Sequence, residues 1–136
     1  MRVFLDTNLL VGAVHTRGLC ADVFRTCLAN HDLVLGETVL QELRDVLRRK
    51  LGIPEAPVRA FDAYLRGQAV VIGDPPPLSL KLRDISDLPI LAEAVAGSAD
   101  LLVTGDAELL EVAALEGVQI LSPRGFWELL RGTPDR

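Results

Sequence analysis

The chain has 136 residues, which suits one domain and is enough to bury roughly two thirds of the surface that the unfolded chain exposes. Its composition is 49% hydrophobic and 24% charged, with a formal net charge of -5. Because phosphate contacts are made by Lys and Arg, this acidic balance argues against broad, nonspecific attraction to nucleic acid. No signal peptide is recognisable and no apolar stretch approaches the ~18 residues needed to cross a bilayer, so we expect a soluble cytoplasmic protein that does not enter a membrane.

Five short runs rich in branched apolar residues predict strands, and helical patterns lie between them. The runs are nearly continuous rather than alternating, which is typical of strands buried on both faces. The predicted strands are residues 3–5, 33–35, 69–72, 101–104 and 118–121. The predicted helices begin near residue 9 and then span 19–30, 37–51, about 57–67, 87–97, 107–116 and 123–130. Glycines at the expected helix ends support these limits, namely Gly52, Gly67, Gly97 and Gly117.

Strands that alternate with helices imply right-handed crossovers and a mainly parallel sheet covered by helices on both sides. The predicted fold class is therefore α/β, a three-layer sandwich. One domain accounts for residues 1–131, and a short polar tail, 132–136, follows it.

Two acids lie at the carboxyl ends of predicted strands. Asp6 ends the run VFLDTN and Asp106 ends LLVTGD. Because parallel sheets bind ligands at the carboxyl ends of their strands, near the point where the strand order reverses, both acids are expected at one edge. Beside Asp106, Thr104 can offer a hydroxyl and Gly105 lets the backbone approach closely. Taken alone, Asp6 is also an ordinary turn residue.

A third acid, Glu42, lies within a predicted helix in TVLQELRDVL. Val39 and Leu43 are its apolar neighbours, so this glutamate interrupts the buried face, where an unpaired acid is unfavourable. Asp45, in contrast, is expected to pair outward with Arg49. By itself Glu42 is equally interpretable as a residue at the edge of the face.

The fourth acid is Asp87, at the start of the helix predicted in SDLPILAEA. It precedes Ile90 of the apolar stripe by three residues, which puts its carboxylate on the core-facing side at the mouth of the helix. A first-turn acid that favours the helix dipole, behind Ser86 as N-cap, is the structural alternative. Asp84 lies three residues earlier and is a candidate for a supporting position.

Four acids from distant stretches at one sheet edge would repel one another, by about 4 kcal/mol for each pair at ~4 Å and an effective dielectric near 20. Such a cluster needs protons or a cation. Oxygen ligands without Cys or His select Mg²⁺ or Mn²⁺, one ion or two, and no Cys or His spacing predicts a zinc site. The predicted chemistry is phosphodiester hydrolysis by metal-activated water. Thr7 and Asn8, after Asp6, can hold its carboxylate or a water, or simply cap the next helix.

The segments FLDTN, VLQEL, SDLPILAEA and LVTGD followed by AELL, in this order, resemble the PIN-domain family. The resemblance covers nearly the whole chain and is strongest to small bacterial single-domain members that are toxins of toxin–antitoxin pairs. It implies a metal-dependent ribonuclease, with a central parallel sheet of about five strands and an acidic quartet at Asp6, Glu42, Asp87 and Asp106. Thr104 and Asn8 match the polar helpers of the family.

The family often has several acids before the helix of the third ligand, whereas RDISDLP keeps only Asp84 and Asp87. The resemblance also implies a homodimer, an RNA substrate and inhibition by a cognate antitoxin. A basic border around the acidic centre is a candidate for RNA phosphate contacts. Its members are Arg44, Arg48, Arg49, Lys50, Lys81 and Arg83.

Two other functions remain open on the sequence. A PIN-like RNA-binding or interaction module would keep the fold without catalysis. An aspartate-dependent phosphatase also begins with a strand that ends in Asp, but it usually has a second acid two positions later, where this chain has Asn8. No phosphate-binding glycine loop of a nucleotide-binding protein occurs.

Overall fold

The computed structural model describes residues 1–78 and 87–132. In these ranges the strands are β1 Arg2–Leu5, β2 Asp32–Gly36, β3 Ala69–Ile72, β4 Leu101–Val103, β5 Ala114–Leu115 and β6 Val118–Leu121. The helices are α1 Thr7–His15, α2 Leu19–Asn30, α3 Glu37–Arg49, α4 Glu55–Gln68, α5 Leu88–Ala96, α6 Ala107–Val112 and α7 Pro123–Gly132. All the predicted strands and helices are therefore present, and most of their first and last residues lie within two positions of the predicted ones.

The strands form one sheet in the order β3-β2-β1-β4-β6-β5, and only the β5–β6 pair is antiparallel. The chain moves outward from β1 through β2 to β3, then returns to the other side of β1 with β4. The strand order therefore reverses between β1 and β4, which pair in parallel with Val3 opposite Leu101 and Leu5 opposite Val103. This is the place where open α/β sheets bind ligands.

The central strands are buried on both faces, as their continuous apolar sequences predict. In β1, Val3, Phe4 and Leu5 are all fully buried, and β4 is equally inaccessible to solvent. Helices flank this mostly parallel sheet, so the α/β class is confirmed. None of the helices in the described ranges has both the length and the apolar character needed to cross a membrane.

The helix predicted over residues 107–116 is wrong in its second half. It ends at Val112, and β5 follows as a sixth, two-residue strand. Ala113 takes a φ of 65°, which stops the helix, and Glu116 and Gly117 have φ values of 50° and 85°. Two consecutive residues with positive φ make the two-residue turn of a right-twisted hairpin. Gly117 therefore belongs to a β-turn rather than to a helix end.

Two other limits differ from the prediction. Gly67 lies inside α4, which continues to Gln68, so it does not end that helix. Helix α7 continues to Gly132, one residue beyond the predicted limit of the domain. The rest of the predicted tail lies outside the described residues, and the division at residue 131 stays a prediction.

The contrasting positions of Gly117 and Gly67 provide a test of the hairpin. Gly117→Ala should lower the free energy of unfolding by about 1–2 kcal/mol, because L-residues are strained at positive φ. The matched control is Gly67→Ala, at an exposed helical position with open space around the Cα. This variant should raise the free energy of unfolding by roughly 0.5–1 kcal/mol. Urea unfolding of both variants measures the two changes. A neutral or stabilising Gly117→Ala would contradict the turn.

Candidate active site

Asp6 is delivered to the edge of the sheet by the buried strand β1 and is itself only 5% exposed. Both carboxylate oxygens accept hydrogen bonds: Oδ1 from the backbone N–H of Thr7 and Oδ2 from the hydroxyl of Thr104, each at 2.7 Å. Burial raises the pKa of this carboxyl above its ordinary value, the two hydrogen bonds oppose the rise, and the charge of Asp106 adds to it. The carboxylate is thus held in one orientation in an environment that disfavours its negative charge.

Asp106 reaches the same edge from β4. Its Oδ1 accepts the N–H of Leu109 at 3.0 Å and so caps α6. Its own N–H donates to the Thr104 hydroxyl oxygen at 3.0 Å, the hydroxyl that in turn donates to Asp6. Thr104 is completely buried, and its hydroxyl links the two acids through these two hydrogen bonds.

Glu42 and Asp87 approach from helices. Glu42 is half-buried on α3, and its Oε1 accepts the hydroxyl of Thr7 at 2.7 Å. Asp87 immediately precedes α5 and is 8% exposed, yet its side chain makes no capping hydrogen bond to that helix. Capping of the helix therefore does not explain why this acid is buried.

The four predicted acids line one cavity of about 310 Å³. Asn8 is exposed on its wall, whereas Thr104 lies behind Asp6, and the role of both as polar helpers stays a prediction. Asp45 also lines the cavity and accepts a long hydrogen bond, 3.4 Å, from Gln41. The predicted outward pair of Asp45 with Arg49 is wrong. Asp84 lies outside the described residues.

The donor set suits a hard divalent cation, although within residues 1–78 and 87–132 no three acidic side chains are grouped closely enough to enclose an ion. Mg²⁺ is usually held by only one or two carboxylates, with waters and substrate phosphates as its other ligands. Every polar side chain that lines the cavity offers an oxygen ligand, and a cation would relieve the repulsion between Asp6 and Asp106. The residues therefore fit such an ion with water or phosphate completing its coordination.

Two of the predicted RNA-binding arginines make ion pairs between α3 and α4. Arg44 lies 2.7 Å from Asp62, and Arg48 lies 2.7 Å from Glu55. These contacts join the two helices, so the charge of each guanidinium is already partly balanced by a carboxylate. Arg83 and Lys81 lie outside the described residues. RNA contact by any of these side chains stays a prediction.

Sequence reasoning overlooked Glu93, which is buried on α5 close to α3. Its signal was nevertheless available, because Glu93 is the one charged residue in the otherwise apolar helix LPILAEAVA. Thr7 holds the Asp6 carboxylate, as the sequence indicates, through its backbone N–H, whereas the bond from its hydroxyl to Glu42 was not predicted.

The fold and the site together define an α/β protein with an acidic cluster at the switch point of a parallel sheet. The family model described as PIN domain matches residues 2–108, and the chain belongs to this family. The resemblance given by the sequence motifs is thereby confirmed. No curated protein matches the chain at a significant level.

Two solved structures share the fold. VapBC2 from Rickettsia felis, bound to a DNA fragment from its promoter, is 17% identical, with a TM-score of 0.63 over 90% of this chain and 98% of that chain. VapBC-1 from nontypeable Haemophilus influenzae is 18% identical, with a TM-score of 0.62 over 91% of this chain and 99% of that chain. At this identity the similarity establishes the fold.

The raised pKa of Asp6 leads to a pH-dependent prediction. The folded chain holds the Asp6 proton more tightly than the unfolded chain, so the contribution of Asp6 to the free energy of unfolding falls as the pH rises from the ordinary value of 3.8 through the raised pKa. In EDTA, the stability of the wild type relative to Asp6→Asn should therefore decrease from acid to neutral pH. Urea unfolding measures the difference, with Asp22→Asn as control, because Asp22 is half-exposed on α2 and pairs with Arg25 away from the cavity. A constant difference would show that the pKa of Asp6 is not raised.

Asp106 allows its charge to be separated from its capping role. Asp106→Asn keeps a capping oxygen for α6 and removes repulsion from Asp6, so in EDTA the thermal stability should be unchanged or higher. Asp106→Ala also removes the cap and should be less stable by about 1 kcal/mol. Thermal unfolding with and without Mn²⁺ tests both variants. A large loss in Asp106→Asn in EDTA would mean that the charge has a structural partner.

Proposed function

We propose that the protein is a divalent-metal-dependent endoribonuclease and the toxin of a toxin–antitoxin pair. The observation that carries the proposal is that Asp6, Glu42, Asp87 and Asp106 line one cavity at the switch point of the sheet. Membership of the PIN domain family supports nuclease chemistry at this place. The proposal includes Mg²⁺ or Mn²⁺, one ion or two, and an RNA substrate.

A proteinaceous antitoxin partner is supported by two findings. The sequence motifs resemble the toxins of small bacterial toxin–antitoxin pairs, and both similar structures are VapBC assemblies. One of these assemblies was bound to a DNA fragment from its promoter. We further propose a homodimer and action in the cytoplasm, where RNA is accessible.

The side chains of the cavity have separable tasks in this proposal. Asp6 and Asp106, linked by Thr104, would bind the cation directly, and Glu42 and Asp87 in the same cavity would hold the waters that complete its coordination. A divalent cation bound there supplies positive charge that lowers the pKa of a water and stabilises the charge developing on the phosphate. Without it, the acids would repel the phosphate backbone, so binding of substrate and cation are coupled electrostatically.

Two residues then orient the remaining groups. Thr7 fixes one oxygen of Glu42, which leaves the other carboxylate oxygen as an acceptor for a proton of the attacking water. The amide of Asn8, exposed on the cavity wall, can donate to a phosphate oxygen. Asn8 also occupies the place of the second acid that an aspartate-dependent phosphatase would use, and this favours the nuclease over that alternative.

Purified protein should cleave single-stranded RNA in the presence of Mg²⁺ or Mn²⁺, and EDTA should stop the reaction. Asp6→Asn should abolish cleavage, because it removes a negative charge from the centre of the cation site, whereas Asp22→Asn, on the exposed face of α2, should cleave like the wild type. End-labelled RNAs resolved on denaturing gels give the rates. Variants purified in parallel control for contaminating nucleases.

Cleavage that survives EDTA or Asp6→Asn would contradict the metal-dependent mechanism. RNA binding by the wild type without cleavage, in either metal, would instead favour the noncatalytic module. Titration calorimetry with Mn²⁺ distinguishes an inactive protein that binds the cation from one that does not.

A further inference from the structure

Glu93 is a buried acid that the proposed chemistry does not use. It lies in the middle of α5 and is only 2% exposed. Burying a carboxylate is strongly unfavourable unless hydrogen bonds compensate for the water that it loses. Glu93 therefore has to be explained by the contacts that it makes.

Both of its hydrogen bonds go to one residue of another helix. Glu93 Oε2 accepts the backbone N–H of Thr38 at 3.1 Å and the Thr38 hydroxyl at 2.9 Å. Thr38 is the second residue of α3, and the N-cap residue of that helix, Gly36, has no side-chain oxygen to offer. Glu93 thus satisfies, from α5, a first-turn N–H that an N-cap side chain usually satisfies locally.

Gly36 provides the space for this contact. A Cβ at this position would lie 2.0 Å from Glu93 Oε1 and 2.3 Å from its Cδ. The backbone of Gly36, with a φ of -128° and a ψ of 161°, is extended and open to any residue, so the close approach alone requires glycine. Oε1 has no hydrogen-bond partner in the described part of the chain and packs against Gly36.

The contact joins the two helices that deliver acids to the cavity. On α3, Glu42 lies four residues after Thr38 and therefore on the same face. On α5, Asp87 is the residue that begins the helix carrying Glu93. A displacement of one helix relative to the other would change the separation of these two acids.

We propose that the Glu93–Thr38 contact positions Glu42 relative to Asp87 and thereby sets the affinity of the cavity for a divalent cation. The inference rests on the proposed function. Glu93 is a positioning residue, because it acts through α3 and contacts neither the cation nor RNA.

Burial raises the pKa of Glu93, and the hydrogen bonds from Thr38 oppose this rise. Because the position disfavours the charge, an amide of the same shape should be tolerated there. Glu93→Gln keeps one oxygen that accepts from Thr38, whereas Glu93→Ala removes the contact.

The first measurement is the affinity for Mn²⁺ by titration calorimetry. Glu93→Ala should bind Mn²⁺ about 10-fold more weakly or worse, as is usual when the support of a metal ligand is lost. Glu93→Gln should recover most of the affinity. Gly36→Ala should disrupt the same contact, because the added methyl must displace the Glu93 carboxylate. Its Mn²⁺ affinity should therefore resemble that of Glu93→Ala.

Phe126→Leu is the control for a general loss of stability. Phe126 is fully buried on α7, which packs mainly against α2 and β6. This variant should unfold more easily but bind Mn²⁺ like the wild type. If it loses affinity as much as Glu93→Ala, the role of Glu93 is only structural and the inference is wrong.

The second measurement needs no metal. In EDTA, the effects of Thr38→Val and Glu93→Ala on unfolding should be non-additive, because the hydroxyl bond that Thr38→Val removes is also lost in Glu93→Ala, which in addition loses the bond from the backbone N–H. Additive effects would overturn the proposed contact itself. Wild-type Mn²⁺ affinity in Glu93→Ala would overturn the inference and leave the nuclease proposal intact. Absence of Mn²⁺ binding by the wild type would overturn both.

Discussion

The parallel pairing of β1 with β4 is the constraint on which the site depends. Leu5 lies opposite Val103, and the backbone N–H of Asp6 continues the ladder by donating to the carbonyl of Val103 at 3.1 Å. Two adjacent strands that run in the same direction must end at the same edge, so the residues that follow them are neighbours. Asp6 is for that reason within hydrogen-bond reach of Thr104, ninety-eight positions later in the chain. The cavity lies at this switch in strand order, where residues of α1, α3 and the start of α5 meet the ends of the two strands.

The burial of Asp6 has opposing consequences. Removal from water and the neighbouring charge of Asp106 together disfavour its charge more than the hydrogen bonds from Thr7 and Thr104 favour it, since the pKa is raised. This is a loss for the stability of the protein without a ligand. The same low-dielectric surroundings strengthen the attraction between the carboxylate and a cation. A poorly solvated acid whose orientation is fixed by two hydrogen bonds is therefore better suited to binding a cation than to stabilising the fold.

The sequence predicted those parts of the structure that depend on local patterns. Continuous apolar strands and amphipathic helices are recognisable from the sequence pattern alone. Their alternation implies a parallel sheet, and this topology places the acids at the strand ends together. The two-residue strand β5 was missed because its existence depends on pairing with β6 and on the positive φ of Ala113, not on its own sequence. Asp45 and Glu93 were misjudged or overlooked for a related reason. Which way an acid on a helix points depends on neighbours from distant segments, and periodicity alone does not contain that information.

Helix α3 shows why such distant contacts matter for the site. One side of it is tied to α4 by ion pairs of Arg44 and Arg48, and its first turn is tied to α5 by Glu93. A third contact, from the hydroxyl of Thr7 to Glu42, ties its middle to the start of α1. The helix is thus fixed by three other helices, and the carboxylate of Glu42 has little freedom to move away from the cavity. These contacts cannot be predicted from the motif that contains Glu42. The sequence identifies this acid as a candidate, whereas its orientation follows only from the packing of the helices.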